Sequence, residues 1–233
     1  MKAYSSKINR LIFLCFSTLL LISCDAYRPS IQQKPIKFDQ QRKELTQEYL
    51  RTRYELEGKS VQISPRMIVL HWTAIPSFER SFGAFYESTL PGHRTQIKGA
   101  GSLNVSAHFL IDREGGIFQL LPETTMARHV IGLNHCAIGI ENVGGPDQPL
   151  TKAQLKANVW LVKELSSRHD IEYVIGHHEY TLFEGHPLWL EVDDGYRTLK
   201  TDPGEAFMKR VRSATRKLDL KPLPTKETTT KTE

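Results

Sequence analysis

Short apolar runs along the chain predict buried strands, because each has strand length and is bounded by polar or turn-forming residues. Residues 67–71, 137–143 and 172–177 are almost continuously apolar, which is typical of a strand covered on both faces. Residues 105–112 and 117–121 flank the turn sequence REGG, and this arrangement predicts a β-hairpin.

Four further segments predict helices, at residues 42–58, 77–89, 151–169 and 203–218. The third places leucine and valine at helical spacing, Ser77 is a suitable N-cap for the second, and a proline occupies the first turn of the last. Strands mixed with helices around one core predict an α/β fold. We expect a single domain with a central mixed β-sheet flanked by helices.

The N-terminal stretch has the composition of an export signal. Three basic residues precede an apolar run at residues 11–22, which is too short for a comfortable membrane span. The run ends in LISC, which resembles the lipobox of bacterial lipoproteins. Residues 1–23 therefore predict a lipoprotein signal peptide and Cys24 a lipidated first residue, with an ordinary secretory signal or a retained anchor helix as alternatives.

Two more segments differ in composition from the predicted domain at residues 42–218. Residues 24–41 contain two prolines, several glutamines and few large apolar side chains, so they predict a tether between the lipid and the domain. Residues 219–233 are of low complexity and predict a disordered tail. The sequence contains no internal repeats.

Charge and cysteine content narrow the function classes. The net charge is +5, and the signal peptide carries three of the positive charges, which leaves +2 on the mature chain. So weak an excess argues against nucleic acid as a partner. With Cys15 in the signal and Cys24 lipidated, only Cys136 remains. An exported domain without a disulfide depends on core packing or on a bound metal.

Histidines end two of the predicted strands. His71 closes the first and His177 the last, while Asp202 directly precedes the final helix. Two imidazoles and a carboxylate are suitable zinc ligands, and three protein ligands leave the fourth tetrahedral position open for water. The spacing alone does not establish a metal site, because a chain with nine histidines contains accidental pairs and Asp202 also fits a helix N-cap.

Six motifs strengthen this interpretation by their order: VLHWTA, VSAHFLIDREGGIFQLLPE, ARHVIG, IGIENVG, VIGHHEYT and KTDPGEAF. Together, over residues 65–218, they resemble the N-acetylmuramoyl-L-alanine amidases of the zinc-dependent amidase-2 family, which are related to the peptidoglycan recognition proteins and phage T7 lysozyme. The lipoprotein signal is similar to that of the membrane-anchored branch. The resemblance implies hydrolysis of the amide between N-acetylmuramic acid and L-alanine of the stem peptide, in cell-wall turnover or recycling.

The resemblance also implies roles for particular residues. It makes His71, His177 and Asp202 the ligands of a Zn²⁺ cofactor. Glu141 in IGIENVG matches the catalytic glutamate, and Lys200 matches the lysine that assists it.

Three residues are expected near the substrate. His129 in ARHVIG matches a histidine that faces the cleft, and Asn134 is expected to contact the peptide. Trp72 is expected in the cleft wall or the core. His108 also falls in a family motif, and we expect it to be structural.

The sequence departs from the compact members of the family between His177 and Asp202, where residues 178–199 form an insertion. The insertion is a lid, a substrate wall or a decorated loop, and its aromatic and acidic residues favour the cleft side. His178 is a competing ligand. Adjacent strand residues face opposite ways, and His177 follows Gly176 as in the family motif, so we expect His177 to be the ligand.

Other chemical signals are weaker. HHEY does not complete a HExxH zinc helix, and Cys136 next to His135 has no evident orienting partner, so a small core residue is the expected role for the thiol.

Two other functions fit the same motifs. One is a non-catalytic peptidoglycan-binding receptor of the same fold, and the other is a zinc peptidase that cuts within the stem peptide. The expected partners are peptidoglycan or muropeptides and, through Cys24, a membrane. The expected location is the bacterial cell envelope, facing the periplasm, and the sequence does not determine the oligomeric state.

Overall fold

The computed structural model describes residues 27–58, 60–92 and 99–225, so the predicted signal peptide and Cys24 lie outside the described residues. The described part contains a six-stranded sheet with the order β1-β4-β3-β5-β2-β6. The strands are β1 (Ile31–Gln33), β2 (Met67–Trp72), β3 (Phe109–Ile111), β4 (Ile117–Gln119), β5 (Ala137–Asn142) and β6 (Tyr173–Gly176). The predicted hairpin pairs β3 with β4 antiparallel, and the remaining neighbours are parallel. The expected mixed α/β sheet is confirmed.

Helices flank this sheet at α1 (Gln40–Tyr54), α2 (Phe78–Tyr86), α3 (Lys152–Arg168) and α4 (Glu205–Thr215), and a 3₁₀ helix covers His177–Phe183. Ser77 caps α2 as predicted, accepting a hydrogen bond from the backbone N–H of Arg80. The first helix ends before the predicted glycine, because Glu55 already has the left-handed conformation with φ of 54°. Among the described residues, none of the helices combines the length and the apolar character needed to cross a bilayer.

The core covers both faces of the sheet, which explains why β2 is apolar along its length. Ile68 and Leu70 pack in the cluster formed with α3 and α4, whereas Met67 and Val69 pack in the cluster on the opposite face. Complete burial of each such side chain contributes about 1.5–3 kcal/mol. Side chains alternate along a strand, so His71 lies on the same face as Met67 and Val69.

The segment that the sequence predicts to be a tether is partly built into the fold. Residues 31–33 form β1, which pairs in parallel with β4. Ile36 is 4% exposed, and its backbone N–H donates to Leu120 O at 3.1 Å. The low apolar content of residues 24–41 concealed this strand, since three residues and one buried isoleucine are enough to dock it.

The beginning of the predicted tail is also docked. The backbone N–H of Lys221 donates to Glu172 O at 2.8 Å, and the Lys221 ammonium lies 2.6 Å from the Glu172 carboxylate. Leu220 and Leu223 pack against the two core clusters. The fold therefore extends to residue 225, and residues 226–233 lie outside the described part of the chain.

Candidate active site

The carboxyl ends of three adjacent parallel strands bring the candidate residues together. In the register of β2 and β5, His71 lies beside Glu141, and Leu70 lies beside Gly176 in the register of β2 and β6. His177 directly follows Gly176, so it emerges next to His71. Loops at the carboxyl ends of parallel strands are the usual place for ligand sites in such sheets.

His71, His177 and Asp202 form one buried cluster. The Nδ1 atoms of the two histidines are 3.0 Å apart, and Asp202 Oδ2 lies 3.1 Å from that of His71 and 3.0 Å from that of His177. All three donor atoms lie within 4.8 Å of one another. Two imidazole nitrogens and a carboxylate oxygen directed at one point fit the ligand set of zinc.

The electrostatics of the cluster favour ligand forms that bind a cation. Burial is the largest of the causes that lower the pKa of His177 to about 4. Burial alone raises the pKa of Asp202, but the interactions with His177 and His71 outweigh it and hold that pKa well below the ordinary value. Near neutral pH, His177 is neutral and Asp202 is ionised, which are the forms that ligate metals.

His178 does not join the cluster, as expected from its position beside His177. Its backbone N–H donates to Asp202 O at 3.0 Å, and its ring Nδ1 lies 2.9 Å from the same oxygen. A carbonyl only accepts, so this Nδ1 carries a proton and is occupied. His178 therefore holds the backbone carbonyl of Asp202, and His177 remains the candidate ligand.

A cavity of about 270 Å³ opens over the cluster. Glu141, Lys200 and Trp72 line it, so the structure brings the expected catalytic pair and the expected aromatic wall to the metal ligands. Each of these three side chains is partly buried. The cavity therefore holds a carboxylate and an ammonium beside a candidate metal site, an arrangement suited to hydrolysis.

His129 lies at the edge of this cavity, but its ring nitrogens contact the protein itself. Nδ1 lies 3.1 Å from Nε2 of His71, and Nε2 lies 3.2 Å from Ala137 O. We expected His129 to face the substrate. The residue does line the cavity, and both of its ring nitrogens are directed at the protein, one of them at the candidate ligand His71.

Asn134 also lines the cavity, but its amide is held by the protein. It is 1% exposed, and its Oδ1 accepts hydrogen bonds from the backbone N–H groups of His129 and Val130, each at 2.8 Å. Its Nδ2 donates to the hydroxyl of Tyr54 at 3.0 Å. Each polar atom of the amide therefore has a partner within the protein, and contact of Asn134 with the peptide stays a prediction.

His108 is structural, as expected. The ring is fully buried, its Nδ1 accepts from Gly139 N–H at 2.9 Å, and its Nε2 donates to Thr125 O at 2.8 Å. Burial lowers the pKa of His108 to about 4, so the ring is neutral at pH 7. Its edge meets the ring of His129, with 5.8 Å between the ring centroids.

Residues 184–199 of the insertion, called the wall segment below, reach the cavity through Tyr196 and Thr198. Arg53 of α1 anchors this segment: its guanidinium lies 2.6 Å from the carboxylate of Glu191 and 3.2 Å from that of Asp193. The Glu191 side chain has no exposed surface and that of Arg53 is 10% exposed. The guanidinium also lies 4.7 Å from the centre of the Tyr196 ring, as a cation–π contact.

A second anchor holds the other parts of the wall segment. Trp189 stacks on Tyr180 with 6.1 Å between centroids, and its ring lies so close to Gly132 that a Cβ there would approach it to 2.6 Å. Thr198 N–H donates to the Tyr180 hydroxyl at 2.9 Å, and that hydroxyl donates to Thr198 O at 2.8 Å. The insertion is therefore a packed wall of the cavity. Neither Arg53 nor Gly132 gives a local sequence signal for this role.

The thiol of Cys136 has the core role that the sequence predicts. It is 3% exposed, packs in an apolar cluster, and burial raises its pKa to about 12. A thiol with such a pKa stays protonated at neutral pH and is a poor nucleophile.

Comparison with known proteins agrees with this geometry. Residues 61–205 match the Amidase_2 family, described as N-acetylmuramoyl-L-alanine amidase. An endolysin of Klebsiella phage KP32 is 31% identical over 88 residues, which cover 35% of this chain and 58% of the endolysin. The chain thus spans little more than half the length of this curated relative.

Two solved structures from Clostridium intestinale share the fold. The N-acetylmuramoyl-L-alanine amidase LysC has a TM-score of 0.51 at 18% identity, covering 83% of this chain and 100% of its own. The endolysin amidase LysCS has a TM-score of 0.50 at 18% identity, covering 84% and 99%. The family match extends over more than half of the sequence and contains all three residues of the cluster. The chain therefore belongs to the N-acetylmuramoyl-L-alanine amidase family.

Proposed function

We propose that this protein is a zinc-dependent amidase that hydrolyses the bond between N-acetylmuramic acid and L-alanine of peptidoglycan stem peptides. The observation that carries the proposal is the convergence of His71, His177 and Asp202 at the base of a cavity lined by Glu141 and Lys200. Family membership adds the reaction class.

In this proposal the cluster holds a zinc ion, which supplies Lewis-acid polarisation of the scissile carbonyl and acidifies water. Glu141 accepts a proton from the attacking water and passes it to the leaving amine of L-alanine, so that one water adds across one amide. The ammonium of Lys200 lies at the same cavity and offsets the negative charge that develops on the carbonyl oxygen. Glu141 acts on the proton and Lys200 on the charge.

The rest of the cavity positions the substrate. Trp72 lies beside the cluster, and Tyr196 and Thr198 line the cavity from the wall segment. A sugar joined to a short peptide presents both apolar faces and many hydrogen-bonding groups, so this mixed lining suits it. We propose that the substrate is peptidoglycan or its muropeptide fragments, in cell-wall turnover or recycling.

We further propose that a lipid on Cys24 holds the domain in the bacterial cell envelope, facing the periplasm. The support is the LISC sequence after a short apolar run. Radiolabelled fatty acid should be incorporated into the full chain and not into Cys24→Ser. Equal labelling of the two chains, or none, contradicts the anchor.

The function is tested by incubating the zinc-loaded protein with soluble muropeptides and, separately, with intact sacculi, followed by mass spectrometry. The proposal expects intact stem peptides with a free N-terminal alanine and sugars without peptide. A receptor of the same fold binds muropeptides and releases nothing. A zinc peptidase gives shortened peptides still attached to the sugar. Either of these last two outcomes overturns the amidase.

A further inference from the structure

The ring of His129 is held from three sides by the protein. Its Nε2 contacts Ala137 O at 3.2 Å, and its ring lies against Gly139, where an added Cβ would come within 2.7 Å of the ring. The buried ring of His108 meets it edge-on. Only a glycine in β5 leaves room for an imidazole in this place, so the packing of His129 explains why position 139 of the IGIENVG motif is a glycine.

The contact with Ala137 determines where the proton of His129 lies. A carbonyl oxygen can only accept, so the His129 Nε2 carries the hydrogen. The other ring nitrogen, Nδ1, faces an imidazole nitrogen of His71 and not a carboxylate, so these contacts fit the neutral ring with its one hydrogen on Nε2. The Nδ1 of His129 is therefore a lone-pair acceptor.

The same reasoning extends to His71. The acceptor Nδ1 of His129 lies 3.1 Å from Nε2 of His71, so that Nε2 carries a hydrogen and donates it. The other nitrogen of the His71 ring, Nδ1, then presents its lone pair towards His177 and Asp202. The tautomer required of a metal ligand follows from two hydrogen bonds that begin at a backbone carbonyl.

We propose that His129 is a positioning residue for metal binding, which fixes the ring orientation and the tautomer of His71 through the chain Ala137 O, His129, His71. Groups that hold a ligating histidine in this way commonly contribute 10- to 100-fold to metal affinity. The inference rests on the proposed zinc site and does not depend on hydrolysis of any substrate.

The first test is nitrogen NMR of the ring atoms, in the metal-free and the zinc-loaded protein. The expected spectrum shows His129 protonated at Nε2 only, with a 15N–15N coupling across the hydrogen bond from His71 Nε2 to His129 Nδ1. A proton on His129 Nδ1 in both forms overturns the proposal. This measurement uses the unaltered protein, so it decides the matter even if substitutions impair folding.

The second test measures zinc affinity by competition with a chelator in His129→Phe and His129→Asn. Phenylalanine keeps the ring without nitrogens, and we expect a roughly 10- to 100-fold loss of affinity. Asparagine places an amide oxygen near the position of Nδ1, so it should recover much of the loss. Equal affinity in the folded phenylalanine variant and the wild type refutes the role.

These outcomes are separable from failure of the amidase proposal, because both measurements are made without substrate. If zinc affinity falls as expected in His129→Phe while muropeptides stay uncleaved by the wild type, the positioning role stands and the catalytic proposal fails.

Discussion

The cluster of candidate metal ligands and the wall segment border the same cavity but are held in place by different kinds of contact. The cluster residues His71 and His177 lie at the carboxyl ends of two neighbouring hydrogen-bonded strands, β2 and β6, so the sheet itself fixes their separation. The wall segment has no strand or helix of its own, and side-chain contacts to α1 and the 3₁₀ helix hold it. The backbone of the sheet therefore positions the cluster, whereas a few contacts between residues distant in sequence determine the shape of the cavity.

This difference separates the expected effects of mutation. Changes in the cluster should alter metal binding and turnover together, whereas changes in the wall segment should alter substrate binding alone. A result in which both regions respond in the same way would erase the distinction.

The largest effect is expected for Asp202→Ala. Losing one of three ligands should weaken zinc binding by more than about 100-fold, exceeding the usual effect of losing a group that merely supports a ligand. Zinc at about 1,000 times its Kd stabilises the wild type by about 4 kcal/mol, and the variant should lose this gain at the same zinc concentration. Calorimetric zinc titration and thermal melts with and without zinc measure both quantities.

A matched control for that variant is His178→Asn, which keeps a donor near the position of Nδ1 opposite Asp202 O. This neighbour should keep zinc affinity within a few-fold of the wild type. If it loses zinc as Asp202→Ala does, the choice of His177 over His178 is wrong.

Glu141→Gln should lower turnover without weakening zinc binding. The amide keeps the size of the side chain but cannot accept the proton, so kcat should fall by about 10²- to 10⁴-fold. Zinc affinity and the melting temperature should stay close to the wild-type values, because Glu141 lines the cavity without joining the ligand set. Near-normal kcat in this variant removes Glu141 from the mechanism.

The support beneath the cluster should be sensitive to acid. Burial holds the pKa of His108 at about 4 in the folded protein against 6.5 as the ordinary value, so between these pH values the unfolded chain binds more protons. The free energy of unfolding should therefore fall as pH drops from about 6.5 to 4, by up to about 3 kcal/mol from this group. His108→Gln retains an acceptor and a donor and should show a flatter pH dependence in urea titrations. Parallel curves for the two proteins would contradict the assignment.

Arg53→Met should affect the wall segment alone. Removing the guanidinium leaves Glu191 buried without its partner and releases the contact beneath Tyr196, so KM for muropeptides should rise by about 10-fold. Zinc affinity and kcat should change little. The double variant Arg53→Met with Glu191→Leu should recover part of the loss, because no charge remains buried. An unchanged KM in the single variant shows that the wall does not contact substrate.

The smallest effect is expected for Arg197→Met in the same segment. Arg197 pairs with Glu184 at 3.0 Å and lies 4.7 Å over the ring of Trp189, but the Glu184 side chain is 40% exposed. Exposed pairs contribute about 0–1 kcal/mol, so KM should change by less than about five-fold. A change in KM as large as that expected for Arg53→Met would show that the exposure of a contact does not predict its importance for the wall segment.

The contrast also explains what the sequence predicted well. Apolar periodicity located every strand from β2 to β6, since a sheet buried on both faces must be apolar. It also showed that two strands end on histidine, and the parallel register then brings these ends together. The same periodicity could not reveal β1, because a three-residue edge strand of isoleucine and two glutamines carries almost no apolar signal.

The hydrogen bonds of two cavity residues were not predictable from the sequence, for another reason. A motif position places His129 and Asn134 near the cleft, but it does not show which hydrogen bonds they make. The amide oxygen of Asn134 accepts a hydrogen bond from the backbone N–H of His129, and the ring nitrogens of His129 contact His71 and Ala137. Roles of this kind depend on which atoms meet after folding, as does the pairing of Arg53 with Glu191 across more than a hundred residues.

We propose that two imidazole nitrogens from the ends of β2 and β6 and one carboxylate oxygen from the turn before α4 bind one zinc ion. Crystals grown with zinc and measured at the zinc absorption edge test it directly. We expect one anomalous peak about 2.0–2.2 Å from Nδ1 of His71, Nδ1 of His177 and Oδ2 of Asp202. A peak on His178 instead, or none at the cluster, would contradict it.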